Sequence, residues 1–184
     1  MPQPLPVGKS SSFGPNLILK RPELAAQAGN VCANWALVED AMMLLYGLLM
    51  GMYLPKLSAP GFEPLPPTHP VAYQIFDALN ALAPRLDLLI RLCKWKALPE
   101  ETEHLERTLA PIVRKRFSER SIVAHGSWGI CDDYPDALIL QRTYDGNQIW
   151  RKDDFEQTSE RIVELLKQMH ALTGSIYERL RQKA

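Results

Sequence analysis

The sequence predicts a mainly α-helical fold: a bundle of four to five helices carrying one small β-hairpin insert at about residues 137–151. Three observations lead there. Apolar residues recur at steps of three and four through most of the chain. Prolines and short polar residues divide it at places suited to helix ends. A single segment, centred on Asp145-Gly146, carries instead the marks of a hairpin.

Residues 1–22 hold Pro2, Pro4, Pro6, Pro15 and Pro22 with Ser10-Ser11-Ser12, and read as an extended or partly disordered arm. The single helical domain is expected over 23–184. Its first helix, 23–54, has the stripe Val31, Trp35, Val38, Met42, Leu45, Leu49 and Met52, with Leu44 and Leu48 on a second side. So little wet circumference marks a central helix, or one that also meets a second subunit. Residues 55–69 carry five prolines and read as a long loop. Thr68 or His69 can cap the second helix, with Pro70 in its first turn and the stripe Val71, Ile75, Leu79, Leu82, Leu86, Leu89 or Ile90, and Cys93. Pro84 should kink it.

Pro99-Glu100-Glu101 opens a third helix with the stripe Leu105, Leu109, Ile112 or Val113, Phe117 and Ala124. Pro111 should bend or break it, and His125-Gly126 is a fitting end, because glycine serves as a C-cap. Residues 137–144 and 148–151 form the hairpin. Asp153 with Glu156 is a capping-box-like start for the last helix, whose stripe is Ile162, Leu165, Leu166, Met169, Leu172, Ile176 and Leu180.

Lys and Arg together number 21, as do Asp and Glu, so overall charge does not predict a nucleic-acid binder and any basic footprint must be local. Cys32, Cys93 and Cys131 are odd in number and widely spaced, which argues for reduced thiols in a cytoplasmic protein rather than a zinc site or disulfides. The start of the chain does not read as a signal peptide. The most apolar run, Ala41 to Leu54, is 14 residues and too short to span a bilayer, so no membrane association is expected.

Chemistry concentrates at the end of the third helix. Its stripe, extended in steps of three and four, puts Arg116 and Arg120 on or beside the inward face. Arg120 alone would be read as snorkelling or pairing with a buried carboxylate. His125 alone would be read as capping the last carbonyls. On an ideal helix the two lie about 140° apart, but a long arginine can reach around to a histidine where the helix is ending. Arg107, Arg114, Lys115, Arg116 and Arg120 also make a local basic stripe, suited to phosphate contacts or simply a solvated face.

The run Arg120-Ser121-Ile122-Val123-Ala124-His125-Gly126 resembles the Arg-polar-x-x-Ala-His signature of the HEPN superfamily (higher eukaryotes and prokaryotes nucleotide-binding domains). The surrounding layout is similar too: Trp35-x-x-x-Glu39 on an early helix, an apolar second helix, the signature at a helix end, His125-Gly126-x-Trp128, a short hairpin and a closing helix. The resemblance implies a metal-independent endoribonuclease of toxin or defence type, with no cofactor and no metal. It implies a homodimer whose two copies form one composite site. Arg120 and His125 would be catalytic, with Glu39, Ser121 and Arg116 in support and Arg114 and Lys115 on RNA. Where the signature often has asparagine, this chain has Ser121. The resemblance also implies a nucleotidyltransferase-like antitoxin or other protein as a partner. The alternative is a non-catalytic helical dimer acting as an RNA- or nucleotide-binding or protein-interaction module. Glu39 equally fits solvent or a surface lysine.

Other motifs point less far. Glu101-x-x-His104 is half of a di-iron carboxylate motif without its second half. His125-Gly126-Ser127-Trp128-Gly129 is not a nucleophile elbow. Trp128 and Trp150 flank the hairpin and suit either base stacking or hairpin packing.

Overall fold

A computed structural model describes residues 2–51, 70–142 and 146–183. The protein is mainly helical with a small antiparallel sheet. The whole of the expected loop 55–69, with Met52, the Thr68 and His69 caps and the centre of the hairpin turn, lies outside the described residues.

Helix α1 (Pro22–Leu49) spans 28 residues. By length and composition alone it could cross a membrane. Its stripe residues Val31, Trp35, Val38, Met42, Leu45 and Leu49 are instead fully buried within the protein. The second expected helix is two, α2 (Pro70–Ala78) and α3 (Leu82–Trp95). Pro84 does not kink a continuous helix. The helix stops before it and restarts with Pro84 in the first turn, where a missing N–H costs nothing. Arg85 closes the break by donating Nε to the Leu79 carbonyl at 2.7 Å. The break also resets the helical phase: Val71 and Ile75, expected in the core, are exposed, and Phe76 is buried in their place, stacked on Tyr46 at 4.7 Å.

The third helix does not break. It continues from α4 (Pro99–Glu103) through a π-helical stretch, His104–Leu109, into α5 (Ala110–His125). The wider π turn directly precedes Pro111, so the hydrogen bond and the space that a proline denies an α-helix are absorbed there. Helix α6 (Lys152–Lys183) buries Ile162, Leu165, Met169, Leu172 and Ile176. Its start is capped two residues earlier than expected: Asp154, not Asp153 or Glu156, is the capping side chain, and its Oδ2 accepts from the Arg151 N–H at 3.0 Å.

The expected hairpin is present as β4 (Ala137–Leu140) and β5 (Gln148–Arg151), but it is the middle of a larger sheet. Strands β1 (Gln3–Pro4), β2 (Ser12–Phe13) and β3 (Trp128–Ile130) complete the order β1-β5-β4-β3-β2, all neighbours antiparallel. The proline-rich arm thus supplies both edge strands. All four residues of β4 are buried, which is why Ala137-Leu138-Ile139-Leu140 shows no polar alternation. Cys131, Ala137, Ile139 and Ile149 cluster under Leu5, Phe13 and Tyr134.

The chain divides into two compact units, Met1–Ala36 with Lys115–Glu164, and Leu37–Arg114 with Leu165–Ala184. The first holds the sheet and the final turns of α5. The second holds α2, α3, α4 and the π stretch.

Candidate active site

The first unit contains Lys115, Arg116, Arg120, Ser121 and His125, spread over the last three turns of α5. Arg116 and Arg120 stand one turn apart, flanked by the buried Val113 and Val123, so the guanidiniums leave the helix on its inward side. Val123 rather than the expected Ala124 carries the stripe to the helix end. Arg116 and Arg120 are half-buried, as is Ser121, whereas Lys115 and His125 are exposed. Glu39 and Arg114 belong to the second unit, where Glu39 is half-buried and Arg114 approaches Asp87 at 4.0 Å.

Helix α5 ends at His125 for a packing reason. Gly126 donates its N–H to the Ile122 carbonyl at 2.9 Å, continuing the helical pattern. Gly126 thus follows the helix end as expected, but its φ is not among the positive ones, so left-handed freedom is not what the position needs. Glycine is required there by space: a Cβ would strike Leu140 Cδ1 and come within 2.6 Å of the Ile122 carbonyl oxygen. Trp128 then turns back and donates Nε1 to the Val123 carbonyl at 2.9 Å, satisfying a carbonyl of the last turn. Trp128, Trp150 and Phe155 pack together with ring centroids 5.1–5.6 Å apart. The two tryptophans therefore hold the helix end against the sheet and leave His125 at the surface.

Around the arginines the charges are unevenly matched. Arg116 Nη1 donates to both carboxylate oxygens of Glu119 at 2.6 Å. Arg161 on α6 brings Nε to 3.6 Å from Glu119 Oε2. The Nε atoms of Arg120 and Arg161 are buried with no hydrogen-bond acceptor among the described residues. Glu119 and Arg161 were not singled out in the sequence. Glu119 could have been found from its i, i+3 spacing to Arg116. Arg161 lies beside the α6 stripe and joins the group only through packing.

Elsewhere, Glu101 is buried and accepts from Arg179 Nε at 2.8 Å. Among the described residues no group of three or more His, Cys, Asp or Glu gathers as metal ligands. No family model matches the chain, and no curated protein or solved structure matches it.

Proposed function

We propose that this protein is a HEPN-like, metal-independent endoribonuclease whose site is built on Arg120 and His125. The observation that carries the reading is a half-buried arginine with an orphaned Nε, set on the last turns of a helix that ends in an exposed histidine. An imidazole must reach solvent to meet a 2′-hydroxyl, and a half-buried guanidinium whose Nε has no internal acceptor keeps a donor unspent beside a site where a phosphate would bring oxygens.

In this reading one His125 imidazole takes the 2′-hydroxyl proton as the 2′ oxygen attacks phosphorus. A protonated His125 from the second copy gives its proton to the departing 5′ oxygen as the P–O5′ bond breaks. Arg120 offsets the charge that accumulates on the non-bridging oxygens. A 2′,3′-cyclic phosphate and a 5′-hydroxyl result. Each chain brings one His125, so base and acid together call for a homodimer. A nucleotidyltransferase-like antitoxin would be a partner that silences it.

Purified protein incubated with single-stranded RNA in EDTA tests this. His125→Ala should lower cleavage on the order of 10²–10⁴-fold, as expected for loss of a general acid–base group. Arg120→Ala should lower it by a similar order through lost charge stabilisation. Equal cleavage by wild type and both variants overturns the reading. The balance of 21 basic and 21 acidic residues favours a second reading, a non-catalytic dimer module. That one predicts no turnover by wild type, with Arg120→Ala weakening the dimer.

A further inference from the structure

Glu119 sits between two arginines, Arg116 and Arg161. Both of its oxygens are taken by Arg116 Nη1. At 3.6 Å, Arg161 Nε is beyond hydrogen-bonding distance from Oε2, and it finds no other acceptor. The next residue along, Arg120, has its Nε in the same condition. Two guanidiniums thus meet one carboxylate, a surplus of one positive charge, and Arg120 adds a third guanidinium one residue along the helix; all four side chains are partly withdrawn from water. Orphaned donors on withdrawn cations are costly unless an acceptor arrives. The acceptor that suits several guanidinium forks at once is an anion with several oxygens.

Arg161 is also held in place. Its Nη2 donates to Thr158 Oγ1 at 3.1 Å, and that hydroxyl in turn donates to the Asp154 carbonyl at 2.8 Å. Thr158 is buried, so this support is rigid. An arginine serving only as Glu119's counter-ion would be expected to close the contact. Arg161 instead stands off, with its carboxylate already engaged.

We infer that Arg116, Arg120 and Arg161 form a cradle for a tetrahedral phosphate, and that Arg161 is a phosphate-contacting residue of the same site. Glu119 is the counter-ion that gathers the cradle, and Thr158 orients its α6 side. The inference rests on the Arg120–His125 site reading, and it names the part of the substrate that site grips: the phosphodiester rather than the base.

The test measures binding without chemistry. A fluorescent 2′-O-methyl RNA dodecamer has no free 2′-hydroxyl and is not cleaved. Its anisotropy is followed across a KCl series for wild type, Arg161→Ala and Arg161→Lys, each checked for helix content by circular dichroism. Inorganic phosphate is titrated separately by calorimetry. Arg161→Ala should bind the oligonucleotide roughly tenfold more weakly, the cost of one charge-assisted contact. Its salt slope should fall by about one, for one phosphate no longer neutralised. Arg161→Lys should restore the slope but not the full affinity, because a point charge lacks the fork. If Arg161→Ala does not fold, the Arg161→Lys affinity decides alone, and a wild-type value overturns the inference. If wild type binds inorganic phosphate but not the oligonucleotide, and Arg161→Ala loses the phosphate, the cradle stands and the ribonuclease reading falls. If Arg161→Ala matches wild type in affinity and slope, or wild type binds neither probe, the cradle falls, whatever His125→Ala does to cleavage.

Discussion

At the scale of single residues, burial decides which groups can take part in chemistry. Cys93 is fully buried, and its thiol is pushed up to about 12 by that burial and by the nearby Glu101 carboxylate. The ordinary value is 9.0. Between these values the folded protein holds a proton that the unfolded chain releases, so stability falls as pH rises from near 9. Tyr46, also raised by burial, acts in the same direction. Urea unfolding at pH 8.5 and 10.5 should show a loss of which Cys93 supplies on the order of 1–2 kcal/mol. Cys93→Ala, itself destabilising at both pH values, should shallow that dependence. Parallel pH curves for the two proteins would contradict the assignment. The same burial should keep Cys93 unmodified by iodoacetamide in the native state, while the partly exposed Cys32 reacts.

At the scale of elements, two junctions hold the candidate site residues. The first is the end of α5, where Gly126 lets the helix close against β4. Gly126→Ala should cost about 1–3 kcal/mol by overpacking. Leu140→Ala in the same chain should not rescue it fully, because the Ile122 carbonyl, a backbone atom, stays in the way. Full rescue, read from urea midpoints, would place the clash on Leu140 alone. The second junction is the start of α6, which carries Thr158 and Arg161. Asp154→Ala removes the cap on the Arg151 N–H and should cost about 1 kcal/mol, whereas Glu156→Ala should be near neutral. Equal effects in thermal melts would return the cap to the frame read from sequence. These junctions also show what periodicity can and cannot convey. Arg116 and Arg120 were legible because they continue a stripe with fixed angular spacing. The Asp154 cap was missed because Asp153-x-x-Glu156 and Arg151-x-x-Asp154 differ by two residues, and only the backbone tells which residue is first in the helix. The outward turn of Val71 and Ile75 was missed because a stripe carries across a break only if the helix is continuous.

At the scale of the whole chain, the least legible feature is the sheet. Its outer strands are two residues each and one contains proline, too short for any period to register. The N-terminal segment nonetheless covers both open edges of the three-stranded centre, β1 along β5 and β2 along β3. The fit is close at Gly129, where a Cβ would strike the Ser12 carbonyl oxygen and come within 2.6 Å of Phe13 Cδ1. Leu5 and Phe13 add apolar cover to the Cys131, Ala137, Ile139 and Ile149 cluster. Removing residues 2–13 should therefore act in two ways. Lost burial of Leu5 and Phe13 should cost about 2–4 kcal/mol, which for a chain of this size lowers Tm by roughly 5–15 °C. The freed edges of β3 and β5 should pair with other chains, giving large heterogeneous assemblies in light scattering while helix content by circular dichroism is kept. Leu5→Ala with Phe13→Ala separates the two effects, since it removes the packing but leaves the edges paired; it should lower Tm without assembly. A deletion variant that remains uniform in size, with an unchanged Tm, would mean that the arm does not protect the sheet on which the end of α5 is seated.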